Sequence, residues 1–341
     1  MTGRMWSIVV VTILVFVTPA SAQETHVLVI TGLGGNSDYT QQFHKWASKL
    51  LDVVVTQYGV PSENITYLSE EPSIAPDTIK ERSSQENIKT AVKNIAKLAQ
   101  PVDHVVIVLF GHGSFSDSAR INLPGRDLSA SDFSTLLDGL DVQFVTFVNT
   151  ASASGPFVEE LSGEGRVVMT ATRTGAERNA SVFGGHFVDA FADGREVADQ
   201  NKDSRVSMLE AFIFARFRVD ESYEKDGNLV TEHAMLDDNG DGVGTTDPDP
   251  LNGDGAIART LFFTRGGGVR AEVTFPDDPA LRALYEERQV LEGRVDDLRR
   301  LEGGTDPEQY QQELELLLIE LALKSREIRE QENTGEGSGI K

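Results

Sequence analysis

The chain has 341 residues, a formal charge of -23 and no cysteine. The acid excess argues against nucleic acid and anionic lipid as partners. Without cysteine there can be no disulfide, no thiolate metal site and no cysteine nucleophile, yet this length can bury one or two cores unaided.

Residues 1–22 read as a secretory signal peptide. Arg4 is the positive flank, Trp6 to Val17 the apolar run, and Ala20-Ser21-Ala22 the small-residue cleavage signal. Cleavage before Gln23 predicts an exported protein, periplasmic or extracellular, with no membrane attachment. The alternative is an uncleaved anchor, for which the run is short.

From His26 to about residue 190, strand and helix signals alternate. His26 to Thr31 is a predicted strand that ends in Gly32-Leu33-Gly34-Gly35-Asn36. That glycine run lacks dinucleotide-fingerprint spacing and reads as a tight turn into a helix. Helices are predicted over Tyr39 to Tyr58 and Glu86 to Ala99, with a short strand at Ile65 to Leu68. Two apolar, β-branched strands follow, Asp103 to Phe110 and Phe144 to Asn149. Arg166 to Thr172 is another strand and Phe183 to Phe191 another helix. This alternation predicts an α/β fold, a mainly parallel sheet with helices on both faces.

Residues 195–265 turn rich in Asp, Asn and Gly and are expected to form an extension to a domain spanning 23–194. Residues 277–332 then show three-four apolar spacing twice, split by Gly303-Gly304-Thr305. Asp278-Pro279 and Asp306-Pro307 look like helix starts. An antiparallel helical hairpin of coiled-coil character is predicted, either packed on the main domain or serving as a protein-contact arm. The tail 333–341 is expected to be disordered.

The two central strands carry the most telling residues. The first runs into Gly111-His112-Gly113, the second into Thr150-Ala151-Ser152-Ala153-Ser154-Gly155. Ligands on open parallel sheets bind beyond the carboxyl ends of the strands, so His112 and Ser152 are expected in one crevice. This pair resembles the catalytic pair of the legumain and caspase-like cysteine peptidases (clan CD, hemoglobinase-type), with serine where the thiol belongs. The resemblance spans His26 to about Ala192 and implies a caspase-like three-layer sandwich. It implies His112 as general base or acid, Ser152 at the nucleophile position, and the Gly113 and Ser152 backbone N–H groups as an oxyanion hole. Residues 170–179 are similar to the next strand and specificity loop of bacterial caspase-like proteins. Legumains carry an Arg in the strand-one turn; Ser37 to Thr40 here has none, so asparaginyl specificity is not implied. Arg173 or Arg178 could line a pocket for an acidic side chain, or be ordinary surface arginines.

A cysteine thiol near pKa ~8.5 tolerates a loose partner, whereas a serine needs a close, oriented base. Asp117 and Asp132 follow His112, but neither is placed on the imidazole by the sequence. The expectation is therefore an impaired peptidase homologue that binds peptide or protein. The alternatives are an active hydrolase using Ser152 and His112, and a calcium-stabilised scaffold without catalysis.

Calcium enters through Asp199 to Glu210, which fits a twelve-residue EF-hand loop. Asp199, Asn201, Asp203, Ser207 and Glu210 supply oxygens and Arg205 a carbonyl. Ser204 stands where glycine is usual. Asp237, Asn239 and Asp241 start a second such loop, but Pro248 holds its twelfth position, leaving Asp247 or Asp249 as substitutes. Either ion would be structural. Asn64-Ile65-Thr66 and Asn179-Ala180-Ser181 are glycosylation sequons, relevant only in a glycosylating host.

Overall fold

The computed structural model describes residues 24–264 apart from 202, 251 and 252, then residues 281–284, 287, 288, 291, 294, 298 and 307–336. The signal peptide, Asp278-Pro279, Asp306 and the last five residues lie outside the described residues. Among the described residues, no helix is long and apolar enough to cross a membrane.

A seven-stranded sheet organises the chain. Its order is β10-β9-β8-β4-β1-β2-β3, from β1 (Thr25–Thr31), β2 (Ile65–Ser69), β3 (Glu81–Arg82), β4 (His104–Phe110), β8 (Phe144–Asn149), β9 (Arg166–Thr170) and β10 (Met235–Asp237). All neighbours are parallel except β10 against β9. β1 and β4 are buried along their whole length, which is why both read as unbroken apolar runs.

Successive side chains of a strand face opposite ways, and the core divides accordingly. Val27, Val29, Val106 and Val108 pack with Phe43, Leu50, Phe187 and Phe212 on one face. These come from α1 (Ser37–Thr56), α5 (Phe183–Phe191) and α7 (Met208–Lys225). Leu28, Ile30, Ile107 and Leu109 pack with Ile88, Val92, Phe133 and Phe157 on the other. That layer is built by α2 (Gln85–Leu98), α3 (Ala130–Leu137) and α4 (Phe157–Leu161). The fold is thus a three-layer α/β sandwich. The Asn36 side chain caps α1 and the Ser84 side chain caps α2, satisfying N–H groups that helix starts leave unpaired.

Three features depart from the sequence expectation. A small antiparallel sheet, β5 (Gly113–Phe115), β6 (Ala119–Ile121) and β7 (Leu128–Ser129), grows from the loop after β4. Its strands are two or three residues long, too short to show a period.

Second, residues 195–265 are not an extension. The short α6 (Arg195–Ala198) and α7 lie in the same core as β1 and β4, and β10 is hydrogen-bonded into the sheet. Their polar composition belongs to the loops, while Val206, Met208, Phe212, Leu236 and Phe263 are buried.

Third, α8 (Pro307–Glu336) overruns the boundary expected at residue 332. Each added helical residue gains a hydrogen bond, which carries the helix through Asn333, Thr334 and Gly335 despite their weak helix propensity.

The hairpin itself is antiparallel. Described residues between 281 and 298 are helical, and Leu291 and Leu298 pack with Tyr310 and Leu317 of α8. Lys324 pairs with Glu287 at 2.7 Å and Glu320 with Arg294 at 3.6 Å, so the partner number rises as the α8 number falls.

Candidate active site

β4 and β8 are neighbours in register, with Leu109 opposite Asn149. Their exits therefore leave the same edge of the sheet side by side. Gly111-His112-Gly113 follows one strand and Thr150-Ala151-Ser152 the other. The two turns touch through Gly113. Its N–H donates to Ser152 Oγ at 3.2 Å, and the same hydroxyl lies 3.3 Å from the Gly113 carbonyl. A Cβ on Gly113 would sit 2.2 Å from the Ser152 carbonyl oxygen, so only glycine permits this approach. Ser152 is 3% exposed. The residue after it, Ala153, has φ 55°, a left-handed conformation uncommon for a side chain with Cβ.

The rest of the turn is stitched to the exit of β9. Ala153 N–H donates to the Glu177 carbonyl at 2.8 Å. Gly155 N–H donates to Thr172 Oγ1 at 3.0 Å, and Thr172 N–H donates to Ser154 Oγ at 3.2 Å. A Cβ on Gly155 would meet the Arg173 carbonyl at 2.1 Å, which explains the Ser-Gly pair in physical terms.

His112 is half-buried. Its ring meets Tyr39 edge-on, centroids 4.5 Å apart, and Phe43 at 5.2 Å. Burial lowers its pKa below the usual imidazole value, while a hydrogen bond to the Gly34 backbone and the Glu70 charge pull the other way. At neutral pH the ring is uncharged and able to accept a proton. Glu70 holds the Gly34 turn by accepting from Gly34 N–H at 2.9 Å and Thr40 Oγ1 at 2.6 Å. Asp117 is exposed, and Asp132 is spent on the Ser129 capping box of α3. Sequence reasoning missed Glu70, because its contact with the Gly34 turn joins residues 36 positions apart.

The crevice thus brings together His112, Gly113 and Ser152, but Ser152 Oγ bonds the Gly113 backbone and forms no hydrogen bond with His112. The two candidate specificity arginines separate. Arg173 lines a cavity of about 110 Å³ with Arg216, Asp220, Glu232 and His233. Arg178 instead reaches the Phe115 carbonyl at 3.1 Å and ties two loops together. In that cavity wall, Glu232 caps α5 by accepting from Val182 N–H at 2.9 Å. Burial raises the Glu232 pKa, with the Ser181 and backbone hydrogen bonds opposing.

The first acid loop is tied by hydrogen bonds of its own. Asp199 accepts from Asp203 and Ser204 N–H at 3.1 and 2.9 Å. Asn201 accepts from Asp203 N–H, and Asp203 from Arg205 N–H, both at 2.8 Å. Ser204 has φ 67° at the position where glycine is usual. Ser207 is the N-cap of α7 and Glu210 completes its capping box. Glu210 also accepts from Gln200 and Asn201 N–H at 3.0 and 3.3 Å. Burial pushes the Glu210 pKa up, against the pull of Ser207.

The second loop differs from expectation. Asp247 points outward to Arg216 at 3.5 Å and does not close it. Asp254 does, accepting from Asp238 and Asn239 N–H at 3.0 and 3.3 Å. Among the described residues, no three acidic or imidazole side chains already converge at metal-binding spacing.

No family model matches the chain, and no curated protein matches it. Several solved structures are similar in shape. A Geobacter sulfurreducens protein aligns with 12% identity and TM-score 0.44, over 71% of this chain and 99% of its own. Caspase-1 from Spodoptera frugiperda aligns with 11% identity and TM-score 0.33, over 58% of this chain and 79% of its own. A secreted C11 cysteine protease from Bacteroides thetaiotaomicron aligns with 11% identity and TM-score 0.32, over 64% and 67%. All these scores fall below 0.5, so the likenesses decide nothing about activity. The architecture rests on the strand order itself.

Proposed function

We propose that the chain is an exported homologue of the caspase-like and legumain-like peptidases. It has lost thiol chemistry and uses its crevice to bind an extended peptide or protein segment. One observation carries this reading: Ser152 Oγ is buried and held by the Gly113 backbone, not by the imidazole. A serine hydroxyl becomes nucleophilic only when a hydrogen-bonded base takes its proton as it attacks. Without that base, a rate loss on the order of 10³-fold or more is expected, or roughly 4 kcal/mol of barrier. What survives is a neutral His112 able to hydrogen-bond a peptide, while the Gly113 N–H is taken up by Ser152 Oγ.

Arg173 is the residue best placed to meet an acidic side chain, since it lines the cavity beside the β9 exit. Arg178 supports the wall through its carbonyl contacts. The leucine-rich hairpin serves as a contact surface for a protein partner.

The test is covalent labelling with a fluorophosphonate probe. Wild-type protein is expected to remain unlabelled. Ser152→Cys is expected to react with a peptidyl acyloxymethyl ketone, because a thiolate needs less help from the base. Fluorophosphonate labelling of wild type at Ser152, abolished by His112→Ala, would instead establish a working serine hydrolase.

A further inference from the structure

The two acid loops share a hydrogen-bond pattern although their sequences diverge. In each, the asparagine at the third position accepts the N–H of the fifth, at 2.8 Å in both Asn201 and Asn239. In each, the fifth residue accepts the N–H of the seventh, Asp203 at 2.8 Å and Asp241 at 2.7 Å. The sixth residue has positive φ in both, 67° at Ser204 and 77° at Gly242. The closing acid accepts the N–H groups of the second and third residues, at 3.0 and 3.3 Å in both Glu210 and Asp254. In the second loop that acid arrives from the next turn of chain. Asp238 brings it there, its carboxylate accepting from Gly255, Ile257 and Ala258 N–H at 2.7, 2.8 and 2.8 Å.

Such a loop can hold itself together without an ion. The second carries one group that is not held. Asp237, at its first position, is 0% exposed, and neither carboxylate oxygen has a hydrogen-bond partner. Its counterpart Asp199 accepts from two backbone N–H groups; in the second loop the sixth-position N–H of Gly242 goes to Ser162 Oγ at 2.9 Å instead. Burial pushes the Asp237 pKa up to about 6, the Asp254 and Asp241 charges adding to it and the nearby Ser162 hydroxyl and Gly242 N–H opposing, although neither of these reaches hydrogen-bond geometry with the carboxylate. A buried carboxylate without a partner costs several kcal/mol unless a proton or a cation accompanies it.

We infer that Asp237, Asn239, Asp241 and Asp254 form a divalent-cation site of the calcium class, closed by an acid from outside the usual twelve-residue frame. The donors are hard oxygens, which suit calcium, with carbonyls and water completing six to eight ligands. The backbone already follows the loop path, so binding asks only that side chains turn inward. The cation would sit where β10 leaves the sheet and would be structural.

The test uses the full chain stripped of metal with chelator and titrated with calcium chloride by calorimetry. Glu210→Gln removes the first loop from consideration. In that background, a binding event with a dissociation constant between about 10⁻⁵ and 10⁻³ M is expected. Asp254→Asn should weaken it at least tenfold. Asp241→Asn, an exposed position that spares the core, should do the same while circular dichroism stays unchanged. No heat in the Glu210→Gln background, or equal affinity with and without Asp254→Asn, overturns the site. Labelling at Ser152 is indifferent to this result, so the two readings fail separately.

Discussion

The crevice edge and the second acid loop treat buried polar groups in opposite ways. At the crevice, near neighbours hold the reactive-looking side chains: Ser152 by the Gly113 backbone, Ser154 by Thr172, and the His112 ring between Tyr39 and Phe43. In the loop, Asp237 is buried with nothing on either oxygen. A polar group satisfied from within asks for no ligand, whereas one left bare points to something missing. The candidate catalytic hydroxyl is held by its own neighbours, and the unheld carboxylate lies at the edge of the sheet.

The sharpest way to break this contrast is to strain the satisfied side with acid. His104, at the start of the strand that carries His112, is fully buried against Thr146 Oγ1 at 2.9 Å. Burial holds its pKa at about 4, with a hydrogen bond to the Phe262 backbone opposing. The unfolded chain takes up this proton near pH 6.5, while the fold resists until about 4. Stability from His104 is therefore complete above pH 6.5 and is lost as pH falls toward 4. That loss is on the order of 3 kcal/mol. Urea unfolding from pH 7 to 4 should show it, and His104→Gln should flatten the slope.

Next in size is Gly113→Ala. The added Cβ collides with the Ser152 carbonyl, and overpacking of this kind costs about 1–3 kcal/mol. Chemical denaturation would reveal the loss, with the β4 and β8 turns forced apart. Unaltered stability would mean that the close approach is not real. The smallest effect is expected at Glu70→Gln. The carboxylate leaves the Gly34 turn but an amide oxygen can still accept, so about 1 kcal/mol is at stake. The sensitive readout is the His112 titration by NMR. Its pKa should fall further once the Glu70 charge is gone.

Much of the fold was legible. β1, β4 and β8 announce themselves as β-branched runs, and α2 as a three-four apolar stripe through Ile88, Val92 and Ile95. His112 and Ser152 follow from strand ends alone. What stayed hidden depends on distant pairing. Asp254 closes a loop that begins at Asp237, and a fixed twelve-position template looks past it. Glu70 meets the Gly34 turn from the far end of β2, a pairing that the order of residues does not reveal. β10 is three residues in a polar stretch and becomes a strand only because β9 offers an edge.

That short edge has a practical consequence. The sheet ends in β3, two residues, on one side and β10, three residues running against the grain, on the other. A recruit from another molecule finds hardly any open ladder there. With no disulfide to tie the chain, these short margins are what limits edge-to-edge pairing of the seven-stranded sheet.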